Sequence, residues 1–315
     1  MLSSRHIMTM DDLSTADIEL ILDTADSFKE VNERRIKKLP TLRGRTVVNL
    51  FLEPSTRTRT SFEIAAKRLS ADGINFSASS SATVKGESLR DTAKTLSAMA
   101  CDLVIIRHKY AGAPQMLAES MDCSIVNGGD GIHEHPTQAL LDLFTMRQSL
   151  GRLEGLTVGI VGDIAHSRVA GSLVPALRKV GARPVVVAPA SLLPARPDVL
   201  GAEVADLGEG GIDAVLPQLD VAYMLRIQME RFEGAGFPSL REYAALFGMN
   251  AARLARMKAE AIVMHPGPMN RGVEISAEVA DSPRAVVLGQ VESGVAVRMA
   301  VMYLLLGGAE SGAAA

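Results

Sequence analysis

Uninterrupted runs of Val, Ile and Leu alternate along this chain with segments whose apolar residues recur every three to four positions. In the first half the runs predict strands over Thr46–Leu52, Ile74–Ser79, Leu103–Arg107 and Ser124–Asn127. The helical period between them predicts helices over Arg59–Ser70, Ser88–Ala100 and Pro114–Ser120. Pro136–Leu150 reads as a longer helix opened by a proline, a residue suited to the first helical position. A second alternation predicts strands over Thr157–Val161, Pro184–Val187, Val221–Leu225 and Ala261–Met264, with helices over Arg168–Val180, Leu240–Phe247 and Ala251–Lys258. Strands that are apolar on both faces, set between amphipathic helices, belong to parallel sheets covered on both sides. The pattern therefore predicts an α/β chain of two doubly wound parallel-sheet domains, 1–135 and 136–289. The last long helix, from about Arg284 to Leu306, is expected to pack back on the first domain, its residues 290–307 completing it.

A length of 315 residues supports two full-sized cores, and 47% hydrophobic with 22% charged residues is a globular composition. A net charge of −3 gives no reason to expect nucleic acid or an anionic membrane as partner. The N-terminal residues lack an apolar signal core, and Arg298 interrupts the most apolar stretch, so no membrane span is expected. Cys101 and Cys123 form no disulfide-like pattern; they read as core thiols in a reducing, cytoplasmic setting.

The chemistry is concentrated at Phe51-Leu52-Glu53-Pro54-Ser55-Thr56-Arg57-Thr58-Arg59. A strand ends there, a proline turns the chain, and Ser55 reads as the N-cap of a helix. First-turn N–H groups and the positive end of the helix dipole favour an anion. Thr56, Arg57 and Thr58 add hydroxyls and a guanidinium, so a small phosphorylated ligand is expected. Arg107 ends another strand at the same carboxyl edge, where open parallel sheets bind ligands.

Asp130-Gly131-Ile132-His133-Glu134-His135-Pro136-Thr137-Gln138 superficially resembles a metal site, but it lacks the Pro-Cys-x-x-Cys partner of zinc deaminases, and no metal is expected. His135 can donate to a carbonyl oxygen and Gln138 can accept from an NH₂, which suits a carbamoyl-type group. Val158-Gly159-Ile160-Val161-Gly162-Asp163 is not a dinucleotide fingerprint, and no P-loop occurs, so no cofactor is expected. Arg168, Arg226 and Gln228 follow strand ends in the second half. They suit a dicarboxylate, or ion pairs with Glu230 or Glu233. His265-Pro266-Gly267-Pro268 makes a bend whose prolines contribute carbonyls without N–H groups. The small-residue loop from Ser77 to Glu87 and the Gly-rich stretch Met229–Ser239 read as ligand-covering loops or plain connections.

Ser55-Thr56-Arg57-Thr58-Arg59, His135-Pro136-Thr137-Gln138 and His265-Pro266-Gly267-Pro268 resemble the signatures of the carbamoyltransferases. Val84-Lys85-Gly86-Glu87-Ser88 and Leu225-Arg226-Ile227-Gln228 look like the catalytic chains of the aspartate carbamoyltransferase branch. The resemblance runs from about residue 5 to residue 307. It implies one domain for carbamoyl phosphate, one for L-aspartate, a homotrimer, and a place in pyrimidine biosynthesis. By resemblance Ser55, Thr56, Arg57, Thr58 and Arg107 hold the phosphate; Thr58, Arg107 and His135 donate to the carbonyl; Gln138 and the carbonyls of Gly267 and Pro268 accept from the NH₂. Arg168, Arg226, Gln228 and Lys85 hold aspartate, with Ser81 and Lys85 supplied by the neighbouring subunit. Arg57, Thr58, Arg107, His135 and Lys85 are the implied catalytic set.

Val84 stands where some relatives have a lysine, and Gly267 where some have a bulkier apolar residue. The ornithine carbamoyltransferases share the phosphate motif, but their acceptor side typically carries Asp-x-x-x-Ser-Met-Gly and His-Cys-Leu-Pro, which are not found here. A non-catalytic paralogue serving as a binding subunit would be marked by loss of Arg57, Lys85, Arg107 or His135, and all four are present. Association with a regulatory chain or a dihydroorotase-like partner is left open.

Overall fold

The computed structural model describes residues 1–77, 88–208, 211–227 and 239–307. The expectations for Ser81, Val84, Lys85, Gln228, Glu230 and Glu233 lie outside them. Strands and helices alternate as β1 (Thr46–Phe51), α2 (Thr56–Arg68), β2 (Asp72–Ser77), α3 (Leu89–Ala98), β3 (Leu103–His108), α4 (Ala113–Ala118), β4 (Ser124–Asp130) and α5 (Pro136–Leu150), after an opening helix α1 (Thr15–Glu33). The second series is β5 (Thr157–Val161), α6 (Arg168–Lys179), β6 (Arg183–Val187), β7 (Glu203–Val204), β8 (Val221–Met224), α7 (Leu240–Phe247), α8 (Ala251–Arg256), β9 (Ile262–Met264) and α9 (Ala277–Ala280). Helix α10 (Val287–Leu306) closes the described chain.

The strands form two all-parallel sheets, ordered β2-β1-β3-β4 and β7-β6-β5-β8-β9. The chain divides into two compact units, Met1–Phe144 with Glu292–Ala315, and Thr145–Val291. The dividing lines run through α5 and α10. In the first unit Val48, Leu50, Val104, Ile106 and Ile125 share one core cluster with Ala93 and Leu96 of α3 and Ala113 and Leu117 of α4. Period-two alternation on the strands meets the helical period of the covering helices, so one face of the sheet is sealed.

Two local readings change. Helix α2 begins at Thr56, as the Ser55 N-cap requires and three residues before the helix predicted over Arg59–Ser70 sets in. Helix α1 was not anticipated, although Ser14 followed by Asp17 forms a capping box with both reciprocal bonds. The two cysteines are neighbours, with Sγ atoms 3.9 Å apart at the amino ends of β3 and β4. Helix α10 is long and apolar enough to cross a membrane by length and composition, but 67% of its apolar window is buried inside the protein, as in a core helix.

Candidate active site

In each sheet the strand order reverses once, and candidate arginines lie on or after the strands at each reversal. In the first sheet β1 lies between β2 and β3, so the chain leaves it on one side and returns on the other. The crevice at such a switch point, at the carboxyl ends of the strands, is the ligand position of open α/β sheets. Ser55–Thr58 follow β1 there. Arg107 is paired with Phe51 in register, and Leu52 N–H donates to the Arg107 carbonyl at 2.9 Å. The phosphate motif and Arg107 thus share one edge of one sheet.

Ser55 occupies the N-cap position of α2, yet its hydroxyl makes no capping hydrogen bond. Ser14, Ser88, Ser167, Ser239, Asn250 and Ser276 all cap their helices with side-chain acceptors. The expected capping role of Ser55 is therefore corrected: it caps by position only. Helix α2 has no acidic residue in its first turn, where Asp or Glu would offset the dipole. Thr58 is buried, while Thr56 and Arg57 are exposed. The Arg107 guanidinium is held by Glu53 Oε1, 3.3 Å from Nη2, and donates from Nη1 to the Gly128 carbonyl at 3.2 Å.

Strand β4 leads into the His-rich segment. Asp130, fully buried, accepts from Asn127 Nδ2 (2.8 Å), Glu134 N (3.1 Å) and Gly112 N (2.9 Å), and lies 3.1 Å from His133 Nδ1. Glu134 turns the other way and accepts from Met10 N at 2.8 Å. Burial pushes its carboxyl up to about 7, a poor state for a cation ligand. Among the described residues no group of three His, Cys, Asp or Glu could hold a metal ion. His135 directly precedes α5, its carbonyl accepting from Gln138 N (2.9 Å) and Ala139 N (3.3 Å), and its side chain is buried. Gln138 lies in the first turn of α5, its Nε2 donating to Asp142 Oδ1 at 3.0 Å.

The second sheet repeats the arrangement. The reversal lies between β5 and β8, whose ends Val161 and Met224 are in register. Arg168 is the first residue of α6, behind a Ser167 cap that accepts from Ala170 N at 3.2 Å, and that helix too has no first-turn acid. The turn before it needs Gly162: at φ +128° a Cβ would stand 3.0 Å from the Tyr243 hydroxyl and 3.2 Å from Leu225 Cβ. Arg226 follows β8, whose pairing extends through Leu225 N–H to the Val161 carbonyl at 2.8 Å.

Glu274 fixes the segments around Arg226. Fully buried, it accepts from Ile227 N at 3.0 Å, from Asn270 N at 2.7 Å and from Asn270 Nδ2 at 2.8 Å. It thereby ties the exit of β8 to the chain that follows the 265–268 bend. Within the bend, Gly267 N–H donates to His265 Nδ1 at 2.8 Å, and His265 N–H donates to Gln290 Oε1 at 3.0 Å. Pro266 and Pro268 have no N–H, so the bend presents carbonyls with its single inner N–H already engaged.

Glu53, Asp142 and Glu274 are the site-shaping residues that sequence reasoning missed. An isolated acid in a loop or helix gives no periodic signal, and only the fold shows what each one holds.

The two switch points fall within two family matches. Residues 5–148 match the aspartate/ornithine carbamoyltransferase carbamoyl-P binding domain, and residues 154–305 match the Asp/Orn binding domain. The chain belongs to the aspartate/ornithine carbamoyltransferase family. It is 59% identical over 304 residues to the aspartate carbamoyltransferase catalytic subunit of Syntrophotalea carbinolica, covering 96% of each chain. Its fold is similar to that of aspartate transcarbamoylase from Trypanosoma cruzi in complex with carbamoyl aspartate and phosphate, with a TM-score of 0.86 at 33% identity and 96% of each chain covered. The ornithine carbamoyltransferase of Pyrococcus furiosus is similar at TM-score 0.84 and 29% identity, over 96% of this chain and 97% of that one. Fold likeness hardly separates the two branches of the family.

Proposed function

We propose that the chain is an aspartate carbamoyltransferase: it transfers the carbamoyl group of carbamoyl phosphate to the α-amine of L-aspartate, giving N-carbamoyl-L-aspartate and phosphate. The observation that carries this reading is the cation pair at the second switch point. Arg168 opens α6, the helix after β5, and Arg226 follows β8, whose end is in register with that of β5; a dicarboxylate amino acid suits two arginines where a cationic ornithine side chain does not. The 59% identity to aspartate carbamoyltransferase catalytic subunits supports the same branch.

In this reading the phosphate rests on Ser55, Thr56, Arg57, Thr58 and Arg107. Thr58, Arg107 and His135 donate to the carbamoyl oxygen, while Gln138 and the carbonyls of Gly267 and Pro268 accept from its NH₂. Arg168, Arg226 and Gln228 take the aspartate carboxylates. The neutral amine attacks the carbamoyl carbon, the new C–N bond forms, and the oxygen becomes an oxyanion. Donors already in place stabilise that charge by about 3 kcal/mol each. The C–O bond to phosphate then breaks, and the departing phosphate carries away the amine proton. The chemistry asks for no side-chain nucleophile.

A compound joining both substrates tests the pairing of the two cradles. N-(phosphonacetyl)-L-aspartate carries a phosphonate and a dicarboxylate in one molecule, and it should bind at least about 100-fold tighter than phosphate by calorimetry. Affinity no better than that of phosphate alone would remove aspartate from the reading.

The family resemblance further supports a cytoplasmic homotrimer acting in pyrimidine biosynthesis, with Ser81 and Lys85 reaching the neighbouring subunit's site. Lys85→Ala chains and Arg57→Ala chains, each inactive alone, should regain activity when mixed and reassembled. Verified mixed trimers without recovery would mean that each subunit completes its own site.

A further inference from the structure

Gln138 and Asp142 lie one turn apart on α5, with 8% and 0% of their surface exposed, and their contact is Gln138 Nε2 donating to Asp142 Oδ1 at 3.0 Å. An ionised carboxylate only accepts hydrogen bonds, so Asp142 forces the amide to present its NH₂ and turn its oxygen the other way. The guanidinium of Arg298 on α10 interacts electrostatically with Asp142. That guanidinium is buried, donates to Ser61 Oγ at 2.9 Å and to the Gly294 carbonyl at 3.1 Å, and lies over the Phe62 ring at 5.0 Å. Gly294 leaves the room it occupies, since a Cβ there would stand 2.5 Å from Arg298 Nη1. Burial, opposed by the pull of Asp142 and aided by the repulsion of Arg107, brings the Arg298 guanidinium down to about 10; it remains charged at neutral pH. Helices α2, α5 and α10 are thus joined through one buried charge, and α2 is the helix that opens on the phosphate motif.

We propose that Asp142 is a positioning residue that locks the Gln138 amide with its carbonyl oxygen toward the carbamoyl NH₂, so that the protein selects carbamoyl phosphate over acyl phosphates lacking that group. The inference rests on reading Gln138 as the acceptor for the carbamoyl NH₂. A freely flipping amide could offer either end and would tolerate a methyl group in place of NH₂. An amide fixed by Asp142 cannot adapt, so a methyl group leaves its buried oxygen unpaired. Sites built to accept from a substrate N–H reject analogues without one for this reason.

The test compares acetyl phosphate, which carries a methyl group where carbamoyl phosphate has NH₂. The quantity read is the ratio of the acetyl phosphate inhibition constant to the carbamoyl phosphate KM. Asp142→Asn lets residue 142 donate or accept, so the ratio should fall roughly tenfold while inorganic phosphate affinity stays unchanged. Gln138→Ala should lower the ratio as much, and adding Asp142→Asn to it should change nothing more. Should Asp142→Asn fail to fold, Asp142→Ser removes the carboxylate without adding an amide and is read in the same way. Equal weakening of carbamoyl phosphate, acetyl phosphate and inorganic phosphate would make Asp142 purely structural and overturn the proposal. A Gln138→Ala protein with an unchanged ratio would instead remove Gln138 as the acceptor, failing the reading beneath the proposal.

Discussion

Arg57→Ala should lower kcat by about 1000-fold or more, with the folded state retained. The residue is exposed in the first turn of α2, so its truncation opens no buried cavity. Its contribution lies in the charge that builds on phosphate as the C–O bond breaks, and a guanidinium at the positive end of a helix meets that charge with two donors. Thermal melting close to that of the parent, together with steady-state kinetics, separates a lost interaction from a lost fold. Near-normal turnover would show that the phosphate departs elsewhere.

Arg226→Ala should raise the aspartate KM about 100-fold while carbamoyl phosphate binding stays as it is. Charge-assisted hydrogen bonds to a carboxylate contribute about 1.5–3 kcal/mol each, enough for that factor. Arg226 belongs to the unit of the second sheet, whereas Ser55–Thr58 and Arg107 belong to the first. The expected split is therefore clean: calorimetry with carbamoyl phosphate is unchanged and the aspartate dependence collapses. Equal damage to both substrates would mean that Arg226 supports the fold rather than the acceptor.

The strands were the most legible part of the chain, because Val47–Leu50, Leu103–Ile106 and Val158–Val161 carry no polar face except Asn49. A strand buried on both sides must look like that. Knowing that Ser55 follows one strand and Arg107 lies at the end of another was enough to assign them one edge, and the β2-β1-β3-β4 order makes those strands neighbours. Helix α1 was missed for a different reason. Its Ser14–Asp17 capping box is explicit in the sequence, but the helix lies ahead of the strand and helix alternation that defines the fold. The buried carboxylates were not legible at all. Asp142 reads as one more polar residue on an amphipathic helix, and Glu274 as a loop acid. Their roles come from partners that the sequence pattern does not signal, Gln138 for the first and Ile227 for the second. Ser55 shows the reverse limit: a correct N-cap position did not imply a capping bond.

The most direct measurement gives the purified chain carbamoyl phosphate labelled with carbon-13 at its carbonyl, together with equal amounts of L-aspartate and L-ornithine, and follows the label by NMR. The account predicts that the label moves into N-carbamoyl-L-aspartate, one phosphate released per carbamoyl transferred, with no citrulline formed. Label appearing in citrulline, or phosphate released with neither amino acid carbamoylated, would contradict it.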